Sequence, residues 1–362
     1  MKKLYFLFIA GVVAWGCGDK DKYLYTQIPI TPVLNPDTKA IIKDNTMINV
    51  RLDSAGNGNI IHGITDKNAF ATSNQFQNFT YAGYSIPAAR VTPFNYDRNT
   101  VVIATGTSLA PVVYYSFDYG TTWTGVTPTF SPVINATGYY ANNLVSVSYI
   151  DSNNLMLAYQ QKSYTDADSR KFYKLDLTTK VATRVSYFDD AFQPINIKFT
   201  DKKTGWMLLY KPSAYSTFLS KSLDTGRTWS NPVAITNRYI AGLQMGTKGN
   251  VCALEDAGNA YISTDSGNTW KKPSADLKLT HAHMVNQAVI YGLTSESLVK
   301  STDTGVTWNT VSSTGYEYIN MKQVHFLNDQ TGLMYGGQKL YMTTDGGVTW
   351  KTLLYPYSYV TE

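Results

Sequence analysis

One octapeptide, Ser/Thr-x-Asp-x-Gly-x-Thr-Trp, is written five times along the chain, and no other feature limits its fold as strongly. It stands as Ser301-Thr302-Asp303-Thr304-Gly305-Val306-Thr307-Trp308 and again at 116–123, 222–229, 263–270 and 343–350. Each part suits a hairpin turn. An Asp carboxylate can accept from backbone N–H groups two and three residues on, and Gly supplies the positive φ that closes the bend. The Trp carries the largest apolar surface and is expected to wedge beneath the following strand. Asp118, Asp224, Asp265, Asp303 and Asp345 are therefore expected to staple turns, with Trp123, Trp229, Trp270, Trp308 and Trp350 anchoring them. They are not expected to be catalytic acids.

The octapeptide closes a larger repeat. From Asn45 onward an apolar strand ends at an Asp, Asn or Gly turn, and a second strand, a variable loop, a third strand, the octapeptide and a short fourth strand follow. Two degenerate copies extend the series. Residues 72–79 have Asn74 for the Asp and Phe79 for the Trp, and 174–181 retain only Asp176. The copies then end at 79, 123, 181, 229, 270, 308 and 350. Seven four-stranded units at this spacing predict an all-β chain closed as a single β-propeller, with six blades as the alternative. Composition agrees: aromatics make up 14% of the chain, with 28 Tyr, charged residues only 16%, and no window holds a helical apolar period.

The octapeptide resembles the Asp-box, or BNR repeat, of sialidases and related propellers. The spacing of Phe199-Thr200-Asp201, Gly205-Trp206 and Asp224 is similar to that of the photosystem II assembly-factor propellers and their bacterial relatives. That resemblance, over roughly 45–355, implies the fold and a binding or scaffold role, carried by residues that are structural.

The amino terminus points to export. Lys2-Lys3 precede an apolar run over 4–15 that ends in Gly16-Cys17. This resembles a bacterial lipoprotein signal, implying a membrane anchor through lipidated Cys17, although Trp15 and the missing Leu three residues before Cys17 depart from the usual pattern. The expected organisation is a signal over 1–17, a polar tether over 18–44 and the propeller over 45–362, placed in the cell envelope at the outer membrane or cell surface. The only other Cys, Cys252, is expected in the core, so no disulfide is expected. Two of the five net positive charges are Lys2 and Lys3, and the remaining basic residues are scattered. No nucleic-acid stripe results, and a monomer is expected.

Propeller geometry then sorts the side chains. The octapeptides share one face with the first hairpin turn of each unit, where Asp53, Asp151, Asp201 and Asp329 are expected as turn formers. The opposite, loop-rich face collects Tyr139, Tyr140, Tyr164, Arg170, Tyr187, Tyr215, Arg238, Tyr239, Tyr316 and Tyr318. Its carboxylates are Asp166, Asp168, Asp189, Asp190, Glu255, Asp256, Glu296 and Glu317. Aromatic rings beside carboxylates suit a sugar, whose C–H face stacks on Tyr while its hydroxyls donate to carboxylates.

Sialidase chemistry fits poorly. Three arginines must converge on the substrate carboxylate, but Ser85 stands where the resemblance puts the first, and only Arg170 and Arg238 fall on the correct face. A neutral-glycan hydrolase needs only a carboxylate pair, for which Asp166, Asp168, Asp189, Asp190, Glu255 and Glu317 are the pool. The xyloglucanases that share the octapeptide place their site between two propellers, and this chain has length for one. His281 and His283 share a strand face without a third ligand in register, so no metal is expected. No cofactor motif is present. The expectation is a non-catalytic envelope lipoprotein that binds a glycan or protein partner, with a glycoside hydrolase as the alternative.

Overall fold

The structure is a computed structural model. It describes residues 47–55, 58–65, 69–72, 80–81, 94–97, 100–107, 110–117, 122–131, 139–163, 169–185, 192–245, 250–272, 277–312, 321–336 and 339–354. All lie in the compact unit Leu34–Glu362; the other unit, Met1–Val33, lies outside the described residues, as do the expected signal, tether and Cys17. No α-helix occurs among the described residues, and the strands form seven sheets.

Sheet 1 holds β1 (Met47–Ala55), β2 (Gly58–Thr65), β3 (Ala69–Thr72) and β4 (Thr80–Tyr81). Sheet 2 holds β5 (Phe94–Asp97), β6 (Thr100–Thr107), β7 (Ala110–Ser116) and β8 (Thr124–Val126). The chain then runs through β9 (Thr129–Ser131), which joins the outer edge of sheet 3. Sheet 3 continues with β10 (Tyr139–Asp151), β11 (Asn154–Ser163), β12 (Ser169–Asp176) and β13 (Val181–Arg184). Sheet 4 is β14 (Gln193–Phe199), β15 (Gly205–Lys211), β16 (Ser216–Ser222) and β17 (Val233–Thr236). Sheet 5 is β18 (Ile240–Met245), β19 (Val251–Glu255) and β20 (Ala260–Ser263). Sheet 6 is β21 (His281–Met284), β22 (Ile290–Leu293), β23 (Leu298–Ser301) and β24 (Asn309–Ser312). Sheet 7 is β25 (Met321–Phe326), β26 (Gly332–Gly336), β27 (Lys339–Thr343) and β28 (Lys351–Leu354).

Two sheets depart from the expected four strands. In sheet 3, β9 pairs parallel to β13 as a fifth strand. In sheet 5 the described residues show the fourth position only as the bridge between Ile262 and Lys271. Elsewhere each sheet is an antiparallel meander.

The core lies between consecutive sheets because the strands are apolar on both faces. In β15, Trp206 and Leu208 pack toward sheet 5, and Met207 and Leu209 pack toward sheet 3. The alternation follows from the two-residue period of a strand. The same layering joins sheets 2 and 3, 5 and 6, and 6 and 7. Cys252 is a free thiol in the layer between sheets 5 and 6, where burial pushes its pKa up to about 12.

Polar side chains cross these layers. Ser146 and Ser148 hydroxyls accept the N–H groups of Ile197 and Phe199, tying β10 to β14. His281 Nδ1 accepts from Val324 N–H at 3.4 Å, tying sheet 6 to sheet 7. His325 Nδ1 accepts from Leu52 N–H at 3.4 Å, and β1 packs on β25 and β26. The last sheet thus abuts the first. A little of His281 remains accessible, but its ring is enclosed, and desolvation pushes its pKa down to about 4.

The octapeptide turns have their own chemistry. In 222–229, the Ser222 hydroxyl donates to Asp224 and accepts Gly226 N–H, while Asp224 accepts the N–H and hydroxyl of Thr228. Trp229 Nε1 donates to Gly226 O. The turns at 263–270, 301–308 and 343–350 repeat the Ser/Thr, Asp and Thr bonds. The carboxylate therefore bonds chiefly to the Thr four residues on, with a smaller contribution from the backbone three residues on. Hydrogen bonds from the partner Thr, side chain first, hold Asp224, Asp265 and Asp345 down at about 2. Asp118 lies outside the described residues; Trp123 is buried.

The glycine is required twice over. Gly305 has φ +80, and a Cβ there would lie 1.8 Å from Ile262 Cδ1 of sheet 5. Gly226, Gly267 and Gly347 likewise face Met156, Leu219 and Leu298, each from the sheet before. The preceding position is also left-handed, at Thr225, Ser266, Thr304 and Gly346. The octapeptide is thus both a turn and an inter-sheet joint.

The two-and-three reach does occur, in other turns. Asp201 accepts from Lys203 and Thr204 N–H, Asp151 from Asn153 N–H and Asn154 Nδ2, and Asp176 from Thr178 and Thr179 N–H. The segment 174–181 is therefore a shorter turn of a different kind. In sheet 7 the stapling side chain is Asn328 and not Asp329, and Asn286 serves in sheet 6. Asp53 is a residue of β1 paired with Ile60, not a turn residue. Thr225, Thr304 and Gly346 N–H donate to Lys203, Ala288 and Gln330 carbonyls, so octapeptide and first turn touch on one face.

Candidate functional site

On the opposite face, the described side chains converge where sheets 4 and 5 meet. The strand parity that puts Trp206 and Leu208 between these sheets continues to Tyr210, and the parity of Val251 and Ala253 continues to Glu255. Both residues extend the same layer toward the loops. The connection 237–239 crosses above it. Thr217 Oγ1 donates to Arg238 O and accepts Ile240 N–H, fixing that connection to β16. Asp256 N–H donates to Tyr239 O at 3.2 Å.

Three tyrosines meet there. The Tyr210 ring packs edge-on to Tyr215 at 6.0 Å and to Tyr239 at 5.3 Å. Tyr215 caps the short 3-10 turn Pro212–Ala214 with φ 50, a left-handed conformation that presents its ring to solvent at 54% exposure. Desolvation first, and then the nearby Tyr215, Tyr239 and Asp256, raise the Tyr210 pKa.

Beside them lies a polar pair. Glu255 is 3% exposed, and its Oε1 accepts from Asn259 Nδ2. The turn closes through Glu255 N–H to Asn259 O and Gly258 N–H to Glu255 O. Glu255 Oε2 and Asn259 Oδ1 are both buried and have no hydrogen-bond partner. Two buried acceptors lacking donors are costly, which marks the pair as something other than a turn staple.

Of the residues expected on this face, Tyr215, Arg238, Tyr239, Glu255 and Asp256 are brought together here, with Arg238 and Asp256 exposed. Glu296 stands apart in a turn closed by Thr294. Tyr139 and Tyr140 lie on β10 and Arg170 on β12, with side chains outside the described residues. Tyr164, Asp166, Asp168, Tyr187, Asp189, Asp190, Tyr316, Glu317 and Tyr318, and Ser85, lie outside them altogether. Sequence reasoning missed Tyr210 and Asn259. Among the described residues no group of three or more His, Cys, Asp or Glu could hold a metal ion. His283 and His325 rings lie 4.2 Å apart across sheets 6 and 7, and His283 Nε2 is bonded to Phe326 O.

No family model matches the chain, and no curated protein matches it. Solved structures do. YCF48 bound to a D1 peptide aligns with a TM-score of 0.53 at 13% identity over 73% of this chain and 81% of that one. YCF48 from Cyanidioschyzon merolae gives 0.52 at 15% over 73% and 85%. The GH74 xyloglucanase from Xanthomonas campestris gives 0.59 at 15% over 85% of this chain, which spans only 53% of the enzyme. At these identities the likeness is one of fold. The chain is an all-β protein of the β-propeller kind.

Proposed function

We propose that this chain is a non-catalytic cell-envelope lipoprotein whose propeller binds a glycan or protein partner through the face opposite the octapeptide turns. The observation that carries the reading is the meeting of Tyr210, Tyr215 and Tyr239 with Asp256 and the partly unpartnered Glu255–Asn259 pair. Aromatic edges and unspent acceptors are what a polar ligand requires, and a scaffold turn does not. We take the seven sheets as seven blades of one Asp-box propeller. The contact of Leu52 with His325, joining last sheet to first, supports that closure.

The amino-terminal motif supports an anchor on Cys17 that holds the propeller at the outer membrane or cell surface, as a monomer. YCF48, solved with a D1 peptide, is an example of this fold engaging a polypeptide, and the xyloglucanase an example of catalysis. The test is capture by the purified protein of envelope oligosaccharides and envelope proteins, with Tyr215→Ala and Tyr239→Ala as controls. Loss of capture in both variants, with unchanged thermal unfolding, is expected. Release of reducing sugar abolished by a carboxylate-to-amide substitution would replace this reading with a glycoside hydrolase. For the anchor, a Cys17→Ala chain is expected to lose incorporation of a labelled fatty acid and to leave the membrane fraction.

A further inference from the structure

Glu255 and Asn259 present an arrangement that no described residue completes. The two side chains use one hydrogen bond between them and leave one acceptor each, Oε2 and Oδ1, both enclosed. On the ionised pair only acceptors remain, and a donor with more than one hydrogen would satisfy both. A formal carboxylate charge calls for a cation. Among the described residues, Lys211 Nζ lies over the Phe192 ring at 5.4 Å on the other face of β15, and Arg238 is exposed. The neighbouring Tyr210, Tyr215 and Tyr239, joined to this turn through the Asp256 N–H to Tyr239 O bond, offer the π surfaces that favour a cation and its aliphatic stem.

We infer that this site takes a lysine side chain of a partner polypeptide, its ammonium donating to Glu255 Oε2 and Asn259 Oδ1 and its stem lying along the tyrosines. Ammonium fits better than guanidinium. The Arg fork matches both oxygens of one carboxylate, and here Asn259 already occupies Oε1. Three rotatable ammonium hydrogens can address two acceptors on different groups. Both acceptors are covered by protein, so admission requires a side-chain rotation at the Tyr239–Asp256 rim. The inference deepens the proposed function and rests on that reading of this face.

The test is titration with an acetylated, amidated Gly-Lys-Gly peptide, beside the same peptide carrying norleucine, arginine or acetyl-lysine at the centre. Tyrosine ring and carboxyl signals are followed by NMR. Saturable binding of the lysine peptide is expected, at least about tenfold weaker for norleucine and acetyl-lysine, a loss of roughly 1.4 kcal/mol or more. Arginine is expected to bind more weakly than lysine. Glu255→Gln should weaken the lysine peptide about tenfold or more. Binding that ignores the charge at the central residue overturns the inference, as does absence of saturation at millimolar peptide or an arginine peptide bound more tightly. If Glu255→Gln does not fold, the four peptides on the unaltered chain still decide. If the lysine peptide fails while Tyr215→Ala and Tyr239→Ala still abolish oligosaccharide capture, the lysine inference falls and the face keeps its role. If the lysine peptide fails and those variants change nothing captured, both fall.

Discussion

The two faces of this protein treat their acidic residues in opposite ways. At an octapeptide turn the side chains of the first Ser/Thr, the Asp and the second Thr find their partners within eight residues. Asp265 receives Thr269 N–H and hydroxyl and the Ser263 hydroxyl, and Ser263 in turn receives Gly267 N–H. Across sheet 5, Glu255 shares one bond with Asn259 and each keeps an acceptor unspent. The first is a closed circuit and the second an open one. A carboxylate whose hydrogen bonds are all local stabilises a bend. A buried carboxylate with an oxygen left over is the one to examine for a ligand.

The comparison is broken most forcefully at the joint on the octapeptide face. Gly305→Ala adds a methyl where Ile262 Cδ1 already stands and forces a left-handed alanine. We expect a loss of about 2–4 kcal/mol in chemical unfolding, of which left-handed strain alone is about 1–2. A loss below about 1 kcal/mol would show that sheets 5 and 6 are not locked there.

Acid sharpens it next. The folded-state pKa of His281 lies near 4, below its ordinary 6.5, so the unfolded chain takes the proton first. The stability tied to this neutral ring is whole above pH 6.5 and drains as pH falls to about 4, by about 1–3 kcal/mol. His281→Gln should flatten stability over that window. A variant with the same acid slope as the unaltered chain would remove His281 from the account.

Asp265→Ala comes third, at about 1–2 kcal/mol for the hydrogen bonds it deletes. Its carboxyl is held down at about 2, from 3.8. The contribution is thus fully present above pH 3.8 and lost only as pH falls through about 2, well outside the histidine window. The stability gap between variant and parent should persist at pH 4; a gap that closes between pH 6 and 4 would contradict the turn chemistry.

The smallest effects belong to the other face. Tyr215→Ala removes an exposed ring, and Glu255→Gln keeps shape while adding a donor that Asn259 Oδ1 can accept. Each should change stability by no more than about 1 kcal/mol while changing binding. A large destabilisation by either would make this face structural too.

The fold was legible in the chain because its signal is local. Eight consecutive residues set a turn, and repetition of the turn sets the sheets. What local reasoning misassigned was reach: Ser222 takes the Gly226 N–H, leaving Asp224 to bond Thr228. Asp329 was displaced by its neighbour because the chain turns one residue earlier, at Asn328. The candidate site was half legible. Tyr215, Arg238, Tyr239 and Glu255 sit in loops or at strand ends, where composition stands out. Tyr210 closes the apolar run Gly205–Lys211 and looks like one more core residue. Only its parity with Leu208, meaningful once the neighbouring sheet is known, turns it toward Glu255.

The glycine joints also bear on how such a molecule can change size. Leu219, Ile262 and Leu298 fill equivalent hollows at Gly267, Gly305 and Gly347, each an aliphatic tip offered to the next repeat. Because the couplings are alike, a repeat lost or copied whole would find a compatible neighbour on either side. Genetic duplication or loss of a whole repeat would therefore preserve this kind of joint.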